Sequence, residues 1–266
     1  MDSQRILHVS SELAPYFPDK TQANSVLNLA KAMYKKGHDV RIFMPKFGAI
    51  NERRFQLHEV IRLSGMNLII NDLDQPLVIK VASLPGERMQ VYFIDNDEYF
   101  KRKLLYSDEK NKWFEDNGER AVFFVKGVVE TIKKLNWVPD VIHVHGWMAA
   151  ILPIYLKSYY SDDSFFKNSR IIFSVYNADL DQTLENTFHD ILAFDNVEWK
   201  NDTLIRNIIK EAMILSQIIV KGEEQLDTDL DSFINTLDKE ILEFNSLETI
   251  INEYATLIEE GATVEN

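Results

Sequence analysis

An apolar run, an amphipathic stretch and a second apolar run open this chain, and that order leaves few folds open to it. Arg5 to Ser10 (RILHVS) is β-rich and long enough for a buried strand. From Gln22 to Lys36 the apolar residues Val26, Leu29, Ala30, Met33 and Tyr34 recur at helical spacing, and Gly37 stands where a glycine commonly ends a helix. Asp39 to Met44 (DVRIFM) is a second strand. Two strands joined through a helix pair in parallel, with a right-handed crossover.

The pattern then continues. Residues 55–94 hold short runs (HEVIRL, MNLIIN, LVIKVAS, MQVYFI) broken by Gly, Asp and Pro, which predicts an antiparallel hairpin insertion whose last strand rejoins the sheet. Helices are expected at Glu119–Leu135, Met148–Tyr159 and Asp202–Leu215, and strands at Val141–His145, Arg170–Val175 and Gln217–Val220. Alternation of this kind makes an α/β protein with a doubly wound, mostly parallel sheet. Two acidic helices, Leu226–Phe244 and Leu247–Glu260, finish the chain. We divide it into a unit over 1–222 and a C-terminal helical extension over 223–266 that packs on it.

With 266 residues, 45% of them hydrophobic, the chain can bury a sizeable core. The absence of cysteine excludes disulfides and thiolate metal sites and suits a reducing compartment. The opening MDSQRILHVSSELAP lacks the apolar core of a signal peptide, and no stretch reaches the ~20 apolar residues of a membrane span, so a cytoplasmic protein without membrane contact is expected. A net charge of -13 argues against nucleic acid and anionic membrane as partners. The acid gathers after residue 180, as in Gly222–Asp231, and reads as solvated helical surface.

Ligands of open α/β sheets bind beyond the C-terminal ends of the strands, which directs attention to three loops. Ser10–Thr21 contains Glu12, Lys20 and Thr21 but no glycine, so Lys20 would offer charge without a nest of backbone N–H groups; the loop reads as an ordinary strand-to-helix connection. In Val141–His145 the two histidines point to one face. They could begin a metal site only with ligands from elsewhere, so no metal is expected. His143 is read as packed and His145 as lying at a pocket edge. Trp147 is either a platform for a sugar ring or a plug of the sheet edge. Tyr176-Asn-Ala-Asp179 offers Asn177 and Asp179 to a hydroxyl-rich ligand, though both are common turn residues. Glu12, Asp140 and Asp179 form no legible acid/base pair, and no Ser-His-Asp arrangement is present.

These loops carry a resemblance to the glycogen and bacterial starch synthases. That family opens with S-S-E-x-A-P-[FY]-x-K-T-G-G-L-A-D and a helix ending in K-x-G-H-[DE]-V-R-V-x-[ML]-P. This chain has Ser10-Ser-Glu-Leu-Ala-Pro-Tyr16 and Lys36-Gly-His-Asp-Val-Arg-Ile-Phe-Met-Pro45. Val91-Tyr-Phe-Ile-Asp-Asn-Asp-Glu-Tyr-Phe100 is similar to V-Y-F-[IL]-D-x-x-x-[YF]-F, and Asp116-Asn-Gly-Glu-Arg-Ala-Val-Phe-Phe124 to D-N-x-x-R-F-x-F-F. Pro139-Asp-Val-Ile-His-Val-His-Gly-Trp-Met148 is similar to P-D-[VI]-[IV]-H-x-H-D-W-H, and Phe173-Ser-Val-Tyr-Asn177 to F-T-I-H-N. The matches are collinear from residue 5 to about 177. The resemblance implies the Rossmann-like N-terminal domain of a GT-B glycosyltransferase, the domain that faces the glucan acceptor. Its relatives transfer glucose from ADP-glucose to an α-1,4-glucan with retention.

The departures fall on the loops. In ungapped register K-T-G-G lands on Pro18-Asp-Lys-Thr21, the Asp after L-A on Asn24, the D and final H of H-D-W-H on Gly146 and Met148, and the sugar-contacting His of T-I-H-N on Tyr176. One lost contact of this kind costs ~2–4 kcal/mol of transition-state stabilisation. Roughly 85 residues follow Asp179, too few for a second Rossmann-like domain. Asn245–Glu259 resembles the family's final helix, as though the second domain were deleted and its returning helix kept. Three readings follow. The leading one is a non-catalytic or regulatory relative with a surface for α-glucan or a protein partner. In the second, a partner chain supplies the donor domain of an active hexosyltransferase. The third is a protein-interaction module with no sugar ligand. No cofactor is expected, and ADP-glucose serves as donor only if the chain is active. The candidate sugar and nucleotide crevice is Glu12, Lys20, Thr21, Asn24, His145, Trp147, Tyr176 and Asn177.

Overall fold

A computed structural model describes residues 3–261. Its strands are β1 (Arg5–Ser10), β2 (Asp39–Pro45), β3 (His58–Glu59), β4 (Met66–Ile70), β5 (Leu73–Ser83), β6 (Gln90–Asp95), β7 (Val141–His145), β8 (Arg170–Val175), β9 (Ile218–Lys221) and β10 (Glu240–Leu242). They lie in the order β10-β9-β8-β7-β1-β2-β6-β5-β3, with β4 paired to β5. Neighbours are parallel from β10 to β6, while β5 runs antiparallel to β6 and β3 to β5. The doubly wound sheet and its hairpin insertion are therefore as expected.

Strand β1 sits at the centre because Ile6, Leu7 and Val9 supply apolar side chains to both faces, as a parallel sheet clad in helices requires. On one face Ile6 and Ile42 pack with the helix Thr21–Lys35 and, through Ile250, Tyr254 and Ile258, with the helix Leu247–Gly261. On the other, Leu7 and Val9 pack with the helices Asn117–Leu135, Ile151–Lys157 and Ile205–Leu215. Gly37 ends the first helix at φ +93°, a value that leaves glycine free and strains other residues. No helix among the described residues is long and apolar enough to cross a membrane.

Several elements differ from expectation. The stretch Leu226–Phe244 is not one helix: a helix spans Thr228–Ile234, capped by the Asp227 side chain, and Glu240–Leu242 leaves to pair with β9. The extension after residue 222 is thus only partly helical, and β10 joins the main sheet. Met148–Tyr159 divides into Gly146–Ala149 and Ile151–Lys157, the second placing Pro153 in its first turn, where a missing N–H is tolerated. A helix at Phe188–Phe194 had no sequence forecast. Residues 1–2 and 262–266 of the proposed units lie outside the described residues.

Candidate functional site

The C-terminal ends of β1, β7 and β8 meet where their three following loops converge, and the space between them is filled. Ser10 Oγ accepts from the Glu12 backbone N–H (3.2 Å) and donates to the Glu12 carbonyl (2.7 Å), folding the chain back just after β1. Tyr106, from the irregular segment before the helix Asn117–Leu135, donates to Ser11 Oγ (2.7 Å) and reaches Glu12 Oε1 (3.3 Å). Its ring centroid lies 5.0 Å from that of Trp147, and Trp113 lies 5.3 Å from Trp147 on another side. Trp147 is buried in this aromatic group, so of its two readings the packing matches the plug.

A second filler comes from the helix Thr21–Lys35. Gln22 donates to Ser10 Oγ (2.9 Å) and to the His145 carbonyl (3.2 Å). Its amide occupies the space beside Gly146, where an added Cβ would meet Gln22 Oε1 at 2.1 Å. Gly146 also sits at φ +71°. Gly146→Asp, which returns the motif's acid, is therefore expected to destabilise the protein by about 1–3 kcal/mol through overpacking. Adding Gln22→Leu should recover part of the loss in thermal denaturation. A double variant no more stable than the single one would show that Gln22 is not the obstacle.

Tyr176 closes the third side. It is buried and lies 3.3 Å from His145 Nδ1 through its hydroxyl. The ring lies so close to Gly222 that a Cβ there would stand 2.3 Å from it. His145 is fully buried rather than at a pocket edge, because Tyr176 and Gln22 stand between it and solvent.

The remaining candidates form a rim. Lys20, Thr21 and Asn24 are exposed. Asn24 donates to the carbonyls of Pro18 (2.7 Å) and Lys20 (2.9 Å), so it holds its own loop together. Asn177 is saturated: it donates to Glu223 Oε2 (2.6 Å) and the Gln225 carbonyl (2.7 Å) and accepts from the Asp227 N–H (2.7 Å). Burial pushes the carboxyls of Glu12 and Asp179 up, and the nearby Lys20 ammonium partly holds both down. The structure therefore groups Glu12, His145, Trp147 and Tyr176 in the interior, with Lys20, Thr21, Asn24 and Asn177 around them. Sequence reasoning missed Tyr106, Gln22 and His8. Gln22 carries a signal, a polar side chain on the buried face of a helix.

Beneath the crevice lies a histidine cluster. In register His8 stands opposite His143, and His8 Nδ1 lies 3.0 Å from His145 Nε2. His143 reaches Tyr254 Oη (3.0 Å) on the helix Leu247–Gly261 and Ser174 Oγ (2.7 Å). Ligand nitrogens of the three rings lie within 4.8 Å of one another. The His143 and His145 rings, however, stack at 3.9 Å, so their in-plane lone pairs do not converge on one point. Every ring nitrogen but His8 Nε2 already has a partner. The hydrogen bonds form two separate chains, His8–His145–Tyr176 and Ser174–His143–Tyr254. Burial lowers His8 to about 3 and holds His143 and His145 well below the usual histidine range, with the neighbouring rings adding to the effect.

Comparison with known proteins gives one family. The model of the starch synthase catalytic domain matches residues 5–228. The glycogen synthase of Chlorobium limicola is 39% identical over 174 residues, 65% of this chain and 36% of that protein. The glycogen synthase of Chlorobaculum parvum is 32% identical over 235 residues, 86% of this chain and 48% of that protein. In fold, the chain is similar to the catalytic domain of starch synthase IV from Arabidopsis thaliana, solved with ADP and acarbose. The TM-score is 0.69 at 19% identity, over 91% of this chain and 51% of that one. The chain spans about half or less of the length of these relatives.

Proposed function

The chain belongs to the starch synthase catalytic-domain family, and from that premise we propose that it is a non-transferring member that recognises α-glucan. The observation that carries this reading is the packing at the strand ends: Tyr106, Gln22, Trp147 and Tyr176 are all buried among the loops that follow β1, β7 and β8. The loop after β1 has Pro18 and Lys20 where the family pattern places its lysine and first glycine, so its backbone offers no phosphate nest. Recognition without transfer would make it a regulatory or targeting partner of a glucan.

Incubation of the pure protein with radiolabelled ADP-glucose or UDP-glucose and glycogen is expected to give no incorporation above a protein-free control. Incorporation by the chain alone would refute the reading. Incorporation only on adding a separately expressed C-terminal domain of a related synthase would favour a split transferase instead; the nearby Glu12, Lys20 and Asp179 are the observation that keeps that arrangement worth testing.

A further inference from the structure

We propose that the free edge of β10, with the helix Leu247–Gly261 beside it, docks an extended basic segment of a partner protein, which joins the sheet as a further strand. The surface is independent of the glucan reading and of the strand-end loops. β10 stands four places from β1 in the sheet, about 19 Å away at the usual strand spacing. Along one edge β10 pairs in parallel with β9 through all three of its residues, Glu240 to Leu242. It ends the order of the sheet, so no strand among the described residues pairs with its other edge. Nor does any of these three residues make a backbone bond to another loop or helix among the described residues. The peptide groups on that edge are left to water or to an incoming strand, and an extended peptide gains its affinity from such main-chain bonds.

Between β10 and the helix Leu247–Gly261 lies a groove of about 540 Å³. Leu242 and Leu257, both buried, give it an apolar base. Its charge has a single sign. Glu240 and Glu243 line it from the strand side and Glu253 and Glu260 from the helix, all four exposed, and no Lys, Arg or His lines it. Glu243 is paired with Lys221 at 2.9 Å. Glu240 and Glu253 have no ion-pair partner among the described residues.

These two features together define the occupant. Successive side chains of a strand point to opposite faces of its sheet. A segment laid along β10 therefore turns every second side chain toward the helix and its glutamates, and the alternate ones toward the face of Ile241, which packs with the other core. The segment that fits carries Lys or Arg at every second position with apolar residues between. Charge also decides against a second copy of this chain. Pairing β10 with itself would bring two such sets of carboxylates together, in molecules that each carry a net charge of -13. Acid on an edge strand thus prevents self-pairing while leaving the edge open to a strand of opposite charge.

The test uses the full chain and a fluorescein-labelled peptide, Lys-Val-Lys-Val-Lys-Val-Lys, with binding followed by anisotropy. The parent should bind it, and amide hydrogen exchange should slow within residues 240–243. Glu240→Gln/Glu253→Gln should bind about tenfold more weakly, the effect of two exposed ion pairs lost together. Asp72→Asn/Asp74→Asn removes the same charge from the exposed β4–β5 turn at the far side of the sheet and should stay within about twofold of the parent. The fully N-methylated peptide keeps its charge but cannot donate to the ladder, and should bind at least about tenfold more weakly. Thermal midpoints show that the variants fold. The inference falls if the parent shows no saturation by about 1 mM peptide, or if the two double variants weaken binding alike. It falls equally if the methylated peptide binds as well as the parent peptide, or if exchange slows only elsewhere. A parent that is already dimeric, with slow exchange at 240–243 before peptide is added, would assign the edge to a second copy and also overturn it.

Discussion

Replacing Lys126 with methionine should lower the stability of the protein by about 3–5 kcal/mol, a large share of the 5–15 kcal/mol typical of a folded protein. Lys126 Nζ bonds both Asp195 oxygens (2.8 and 2.9 Å) and the Ile69 carbonyl (2.9 Å). Both partners of the ion pair are only 5% exposed at their side chains. Tyr155 Oη, 2.8 Å from Asp195 Oδ2, would be left as the lone donor to a buried carboxylate. The pair also joins three elements distant in sequence: the β4–β5 hairpin, the helix Asn117–Leu135 and the end of the helix Phe188–Phe194. Urea denaturation checks the result: the midpoint should fall with little change of slope. Changing Asp195 to leucine in the same chain should recover much of the loss, since removing both charges leaves no unpaired ion. A single-variant loss below about 1 kcal/mol would show that the carboxylate finds water or another donor.

The second large effect is acid instability. The unfolded chain binds protons on His8, His143 and His145 below about pH 6.5, while the folded chain does not until far lower, about 3 for His8. With more protons bound to the unfolded state, stability falls as pH falls. Full stability is kept above the unfolded value and lost progressively toward the folded one. Each such histidine contributes a slope of up to about 1.4 kcal/mol per pH unit, and three together about 4. Glu12, Asp95, Asp179 and Glu185 act in the opposite sense, because burial raises their carboxyls and the folded state protonates first. The histidine effect sets in below about pH 6.5, and comparison with a histidine variant separates it from that of the carboxyls. Urea titrations across that range should show the slope, and His8→Leu should flatten it by about a third. A slope that His8→Leu leaves unchanged would mean that His8 is not held neutral in the folded chain.

How much of this was legible beforehand follows from distance along the chain. The strand-helix-strand opening appears almost at its expected boundaries because its signals, apolar spacing and Gly37, act within a few residues. Leu226–Phe244 misled because Leu226, Leu230, Phe233 and Leu237 keep helical spacing, while pairing with β9 draws Glu240–Leu242 into the sheet. The candidate loops were found from topology alone, since strand ends in an α/β sheet converge. Their contents were not. Tyr106 reaches Glu12 across 94 positions, and Gln22 reaches the His145 carbonyl across 123. His8 was within reach of the sequence, because the alternation in RILHVS places it on the face of Ile6, but only the register of β1 with β7 brings it to His143.

The central place of β1 has a consequence for how the protein is made. Its partner on one side, β2, follows within one helix, but its partner on the other is β7, and His8 meets His145 across 137 positions. At ribosomal rates of roughly 5–20 residues per second, β1 waits on the order of 7–30 s for that neighbour. During this interval one edge of a strand that carries Ile6, Leu7 and Val9 has no native partner, and Tyr254, whose hydroxyl meets His143, has not yet been made. The long-range pairing that gives the finished sheet its buried centre thus leaves the nascent chain with an open strand edge that is slow to be covered, and the helix Leu247–Gly261 covers that face only later still.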